Sequence, residues 1–174
     1  MRRPALTTVL LLVAVVGFCV CAGCGGEKSP HLLESERQLD GMYEACRNIE
    51  LSSPGSAATT ITVDEVKKLP TVEVEAVLKR SNGMTKSGKW VGARLSEVLS
   101  GHGVAGPFKE LRVEAWDGYV GRVGSEVAMR PDTILAYLEN GKPLPKEDGP
   151  VRLVVASEDG FYWIRMMVKV EVIR

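Results

Sequence analysis

Leu111-Arg-Val-Glu-Ala-Trp-Asp-Gly-Tyr-Val-Gly-Arg-Val123 lies past the middle of the 174-residue chain, and its pattern sets the fold class. Apolar Leu111, Val113 and Ala115 alternate with Arg112 and Glu114, the period of two expected of a strand with one buried face. Asp117-Gly118 follows, a dipeptide suited to the positive φ angles of a tight hairpin, and Tyr119-Val120 opens a returning strand that ends near Val123. A hairpin in this position predicts a sheet on both sides of it.

Both flanks supply strand-like runs. Upstream, Val72, Val74, Ala76 and Leu78 alternate with more polar neighbours, and Ser81-Asn82-Gly83 turns the chain toward Lys89-Trp90-Val91-Gly92. Downstream come Thr133–Leu138, a turn at Glu139-Asn140-Gly141-Lys142, the apolar run Val151–Ala156, and the alternating stretch after Met167. Pro143 and Pro145 lack amide donors, which predicts an extended connector at a sheet edge or outside it. Helical signals are short. Thr62 with Glu65 three residues on reads as a capping box opening a helix that Pro70 stops. Leu95, Val98 and Leu99 predict a helix from Ser96 closed by Gly101, and Ser125–Ala128 predicts a single turn. Scattered strands with short helices predict an α+β fold, a mixed β-sheet domain, and exclude a Rossmann unit or a barrel.

The N-terminus carries an address. Met1-Arg-Arg3 is followed by an almost wholly apolar run, Ala5 to Cys21, shorter than the ~20 residues that span a bilayer and suited to an export signal. Cys21-Ala22-Gly23-Cys24 at its end resembles a bacterial lipobox, which implies cleavage before Cys24 and lipid on its thiol. Cys19 and Cys21 compete for that role, and an uncleaved membrane anchor is the alternative. The division expected is a signal peptide at 1–23, a lipidated tether and linker at 24–59, and a folded domain at 60–174. Leu32, Leu33, Leu39, Met42 and Ile49 predict only one or two weak helical turns, and Ser52-Ser53-Pro54-Gly55-Ser56 reads as a linker. The expected location is the cell envelope, with the domain outside the cytoplasm and held to a membrane through its lipid.

Of four cysteines, only Cys46 stays in the expected domain and tether unlipidated, so no internal disulfide forms, and no neighbouring histidine marks it as reactive. Acidic and basic residues balance at 22 each, and losing Arg2 and Arg3 leaves a slightly acidic body, which argues against nucleic acid as a partner. Arg152 interrupts an apolar strand, which predicts a buried structural role or an anion-binding one. Trp90, Trp116 and Trp163 read as core anchors, and Asp117-Gly118 as turn geometry.

Six stretches in register resemble the molybdopterin-binding domain of the sulfite oxidase superfamily in a small stand-alone form. They are Val63-Asp-Glu-Val-Lys-Lys-Leu-Pro70, Trp90-Val-Gly-Ala-Arg-Leu-Ser-Glu-Val-Leu99, Ala115-Trp-Asp-Gly-Tyr119, Leu135-Ala-Tyr-Leu-Glu-Asn-Gly-Lys-Pro-Leu144, Gly149-Pro-Val-Arg-Leu-Val-Val155 and Gly160-Phe-Tyr-Trp-Ile-Arg165. The resemblance implies that family's mixed β fold and a molybdenum–pterin cofactor. It implies cofactor contacts from Arg80, Tyr119, Arg152, Tyr162 and Arg165, with Arg94 and Arg122 as further basic candidates. In catalytic members a cysteine at the end of the strand matching Val74–Lys79 binds the metal, a role for which a soft thiolate is suited. Val77-Leu-Lys-Arg-Ser81 holds no cysteine, and Arg80 or a neighbour takes its place. Two functions therefore stand side by side: a pterin-dependent oxidoreductase-like protein working without a cysteinyl ligand, and a non-catalytic binding or assembly module that kept the fold. A small anionic ligand or a redox partner protein are the partners these readings imply.

Overall fold

The computed structural model of the chain describes residues 30–79, 83, 85–104, 107–158 and 162–174. The expected signal segment, Cys24, Arg80, the Ser81-Asn82 turn and Gly160 lie outside these residues. Within them the chain forms the expected α+β architecture, built on two five-stranded sheets.

The first sheet runs β2 (Thr59–Thr62), β1 (Asn48–Ser52), β10 (Met167–Ile173), β5 (Glu110–Ala115), β6 (Val120–Gly124). The β5–β6 hairpin is therefore an edge, and only its β5 side meets another strand, β10. Of its turn residues Gly118 alone has a positive φ, +82°. Asp117 instead uses its side chain, whose Oδ1 accepts the Tyr119 amide at 3.1 Å. The turn thus needs one left-handed residue, not two.

The second sheet runs β3 (Thr71–Lys79), β4 (Thr85–Arg94), β7 (Thr133–Glu139), β8 (Lys142–Pro143), with β9 (Arg152–Val155) also pairing with β7. The β7–β8 turn places both Asn140 (φ 50°) and Gly141 (φ 75°) in the left-handed region, the mirror-image turn that an Asn-Gly pair favours. The Pro143 strand lies at the edge, as its missing amide requires. Gly92 sits at a register irregularity between β4 and β7, where a Cβ would fall 2.1 Å from the Leu135 carbonyl oxygen. No side chain fits there, so the close backbone approach fixes glycine.

The main core lies between the sheets. Ile49, Leu111, Val113 and Val172 meet Ala93, Leu135 and Leu153 there, joined by Val66 of α2 (Val63–Lys68) and Leu99 of α3 (Leu95–Gly101). Alternate residues of β7 and β9 point the other way, where Trp90, Ile134, Ala136, Val154 and Trp163 form a second cluster. Strands covered on both faces read as continuous apolar runs, which is the pattern of Ile134–Ala136 and Leu153–Val155. A one-turn helix, α4 (Ser125–Ala128), follows β6 as expected. The α2 capping box is complete: Thr62 accepts from the Glu65 amide, and Glu65 reaches back to the Thr62 amide. At the end of α3 the positive φ belongs to Gly103, not Gly101.

Two expectations upstream need correction. Residues Pro30–Ala45 form one 16-residue helix, α1, where only weak turns were expected. Its first turns are exposed, and Met42 and Cys46 pack against Met166, so docking at one end supports a helix of irregular periodicity. The boundary at residue 60 is also too late. Strand β1 pairs in parallel with β10 and antiparallel with β2, deep in the first sheet, and residues 52–56 are the turn of that hairpin. Ile49 and Leu51 are only two alternating apolar residues, too short a pattern to separate from a linker beside Ser-Ser-Pro-Gly. Among the described residues no helix is long and apolar enough to cross a membrane.

Candidate functional site

Strand β3 pairs with β4 in a register that sets Glu75 opposite Lys89, Ala76 opposite Gly88 and Val77 opposite Ser87. These six residues form one wall of an open cleft of about 630 Å³, and Asn140 with Ala156, Ser157 and Glu158 forms the other. The cleft adjoins the strand matching Val74–Lys79, whose far end would carry the metal-binding cysteine. Asn140 is clipped to β4 by two bonds: its amide donates to the Lys89 carbonyl at 2.7 Å, and its Oδ1 accepts the Lys89 amide at 3.0 Å. Gly88 gives that side chain room, since a Cβ there would stand 3.2 Å from the Asn140 amide group.

The charges of the cleft are already engaged. Lys89 Nζ lies 3.0 Å from Glu73 and 3.5 Å from Glu75, and its hydrogen bond to Glu73 and the charges of both hold the ammonium pKa above its ordinary value. Glu158 pairs with Arg130 at 2.6 Å, and Ser157 Oγ accepts from the same guanidinium at 3.0 Å. Each of these cations faces a carboxylate, so the described lining residues offer an incoming phosphate no surplus positive charge.

Arg152, expected in a buried structural role or an anion-binding one, is 5% exposed. Its Nη1 lies 3.2 Å from the Asp148 carboxylate, and its Nη2 donates to the Trp163 carbonyl at 3.5 Å. The guanidinium sits 5.7 Å from the Trp90 ring and 5.8 Å from the Trp163 ring, and the two indoles meet edge-to-face at 5.3 Å. Trp163 Nε1 in turn donates to the Val155 carbonyl at 2.9 Å. This is an internal bolt between strands, with the charge satisfied from inside.

The other candidates gather elsewhere. Arg165 is half exposed, with Nη1 3.4 Å from the Glu147 carbonyl and Nη2 4.0 Å from Asp117. Tyr119 stands on the same hairpin tip, its amide bonded to Asp117, so Tyr119 and Arg165 share one carboxylate. Tyr162 is half buried and packs against both core clusters. Arg94 pairs with Glu97 at 3.3 Å and Arg122 pairs with Glu110. The structure brings Tyr119 to Arg165 and keeps Arg152 apart, inside the fold; none of the three lines the cleft.

Cys46 is fully buried among Met42, Leu39, Met166 and Val168, with none of the cleft residues around it. Burial, and secondarily the charge of Asp117, push its thiol up to about 11. A neutral, enclosed thiol there is no substitute for the absent cysteine at the end of β3. Among the described residues no cluster of three histidine, cysteine or acidic side chains stands ready for a metal. Among the described residues the donor set thus lacks the thiolate and the cations of the cleft are paired; these residues do not fit a molybdenum–pterin group held in the usual way. Lys89, Arg130 and Asn140 are the parts that sequence reasoning missed. Reflecting β3 about Asn82 would have found the Lys89–Glu75 pair; nothing local announces Arg130 or Asn140.

The profile of the oxidoreductase molybdopterin binding domain matches residues 47–174. Mitochondrial sulfite oxidase of Mus musculus is 28% identical over 152 aligned residues, covering 70% of this chain and 28% of that protein. That of Drosophila melanogaster is 29% identical over 147, covering 68% and 26%. The chain therefore spans little more than a quarter of the length of these relatives. A chain of the sulfane dehydrogenase SoxCD from Paracoccus pantotrophus superposes with a TM-score of 0.66 at 22% identity, over 72% of this chain and 38% of that one. Two sheets with short helices, six motifs in register and a match that begins at β1 lead to one assignment: the chain belongs to the oxidoreductase molybdopterin binding domain family.

Proposed function

We propose that this protein is a lipid-tethered, extracytoplasmic binding or assembly module that keeps the family's fold and has lost its metal site. The observation that carries this reading is the chemistry around the end of β3. No cysteine stands there in the sequence, and the adjoining cleft pairs its cations with carboxylates. Fold alone does not carry an activity with it. An open cleft of about 630 Å³ with a mixed polar and apolar lining is of the size that takes a small ligand. With Lys89 held by two carboxylates, the described lining favours a neutral or hydrogen-bonding compound, or a segment of a partner protein. The lipobox-like Cys24 and the short spacer after it support the tether.

A cofactor that binds only the folded state raises its stability. The thermal midpoint should therefore be the same for protein made in hosts with and without molybdopterin synthesis. A midpoint several degrees lower from the deficient host would overturn the module reading in favour of a cofactor-bearing oxidoreductase.

A further inference from the structure

The tip of the β5–β6 hairpin exposes three large apolar side chains within five residues: Trp116 at 43%, Tyr119 at 44% and Val120 at 39%. Turn tips are ordinarily polar, because their backbone groups and side chains face water. This tip is also stiff. Ala115 donates its amide to the Tyr119 carbonyl at 2.9 Å, Gly118 donates to the Ala115 carbonyl at 3.0 Å, and Asp117 holds the Tyr119 amide. Ordering it against a surface therefore costs little conformational entropy. Arg165, half exposed and 4.0 Å from Asp117, balances the acidic charge of the turn.

The tip is coupled to the tether. The Trp116 amide donates to the Met166 carbonyl at 2.8 Å, and Met166 packs on Met42 and Cys46 at the end of α1. α1 begins at Pro30, so residues 25–29 alone separate it from Cys24. That spacer reaches at most about 20 Å when fully extended, and α1 adds about 24 Å. α1 further exposes Leu32 at 55% and Leu33 at 46%. A body held this closely to a bilayer meets it repeatedly, and Trp and Tyr rings prefer the headgroup region, where one end is apolar and the other wet.

We propose that Trp116–Val120 is an interfacial foot, set into the phospholipid headgroup region of the membrane that carries the lipid. Trp116 and Val120 enter the apolar boundary, and the Tyr119 hydroxyl stays at the headgroups. The lipid holds the protein, and the foot fixes its orientation. This rests on the tether reading, and the test separates the two.

The full chain, produced in a bacterial host, is placed in vesicles of phosphatidylethanolamine and phosphatidylglycerol with brominated acyl chains. Trp90 and Trp163 are 0% and 4% exposed, so Trp116 is the indole open to quenching. Bromine should quench part of the tryptophan emission, and Trp116→Phe should abolish that part. Absence of quenching, or quenching undiminished in Trp116→Phe, overturns the foot. Mass spectrometry of the N-terminal peptide reads the tether independently. Acylated Cys24 without quenching rejects the foot and leaves the tether; quenching with unacylated Cys24 supports the foot and rejects the tether. Neither signal rejects both.

Discussion

Arg152 holds a full positive charge at 5% exposure, which is stable only because Asp148, the Trp163 carbonyl and two indole faces surround it. Removing one partner of a buried pair leaves the other charge stranded. Arg152→Met should therefore destabilise the protein by about 3–5 kcal/mol. Adding Asp148→Leu should recover much of that loss, since the stranded carboxylate goes too. Urea unfolding of the single and double variants measures both; a double variant no better than Arg152→Met would remove the ion pair from the account. Arg152 was conspicuous in the sequence because it interrupts an apolar strand, which left a buried structural role and an anion-binding one both open. Its partner was not legible there. Asp148 ends a 3-10 turn, Lys146–Asp148, and only the path of that turn brings it back to β9.

At the scale of elements, the signals that worked were local and chemical. The capping box at Thr62, the Asn140-Gly141 turn and the alternation in β3 each state a backbone geometry within a few residues. Thr62→Ala removes the acceptor of the Glu65 amide, a bond of 3.2 Å, and should cost about 1 kcal/mol. Its pH dependence has a definite sign. Hydrogen bonds from the Thr62 amide and hydroxyl hold the Glu65 carboxyl below its ordinary value of 4.5. A depressed carboxylate pKa contributes stability above the unfolded value and loses it as pH falls through the folded one. The gap between wild type and Thr62→Ala should thus narrow on acidification below about pH 4.5; a gap that widens there would contradict the capping geometry. What was illegible at this scale was the fate of short or weakly patterned segments. β1 has five residues and α1 an irregular apolar stripe, and tertiary partners decide both.

The whole molecule binds these parts through pairings distant in sequence. β1 sits between β2 and β10, so a chain truncated to begin at residue 60 loses an interior strand together with Ile49 and Leu51. It should fail to fold, whereas one beginning at Pro30 should remain soluble and cooperative. Circular dichroism and thermal unfolding of the two decide it, and a folded 60–174 fragment would show β1 to be dispensable. The family-level arrangement was legible because six motifs in register preserve it. The candidate site was not, because its constituents divide between an internal bolt at Arg152, a surface tip at Tyr119 and Arg165, and a cleft whose cations are paired. The central claim is that this fold persists here without its metal. Elemental analysis for molybdenum and tungsten, with pterin fluorescence after oxidation, tests it directly on full-length protein exported from a host that makes the cofactor. A folded sample should hold neither metal nor pterin. Close to one metal and one pterin per chain would contradict it.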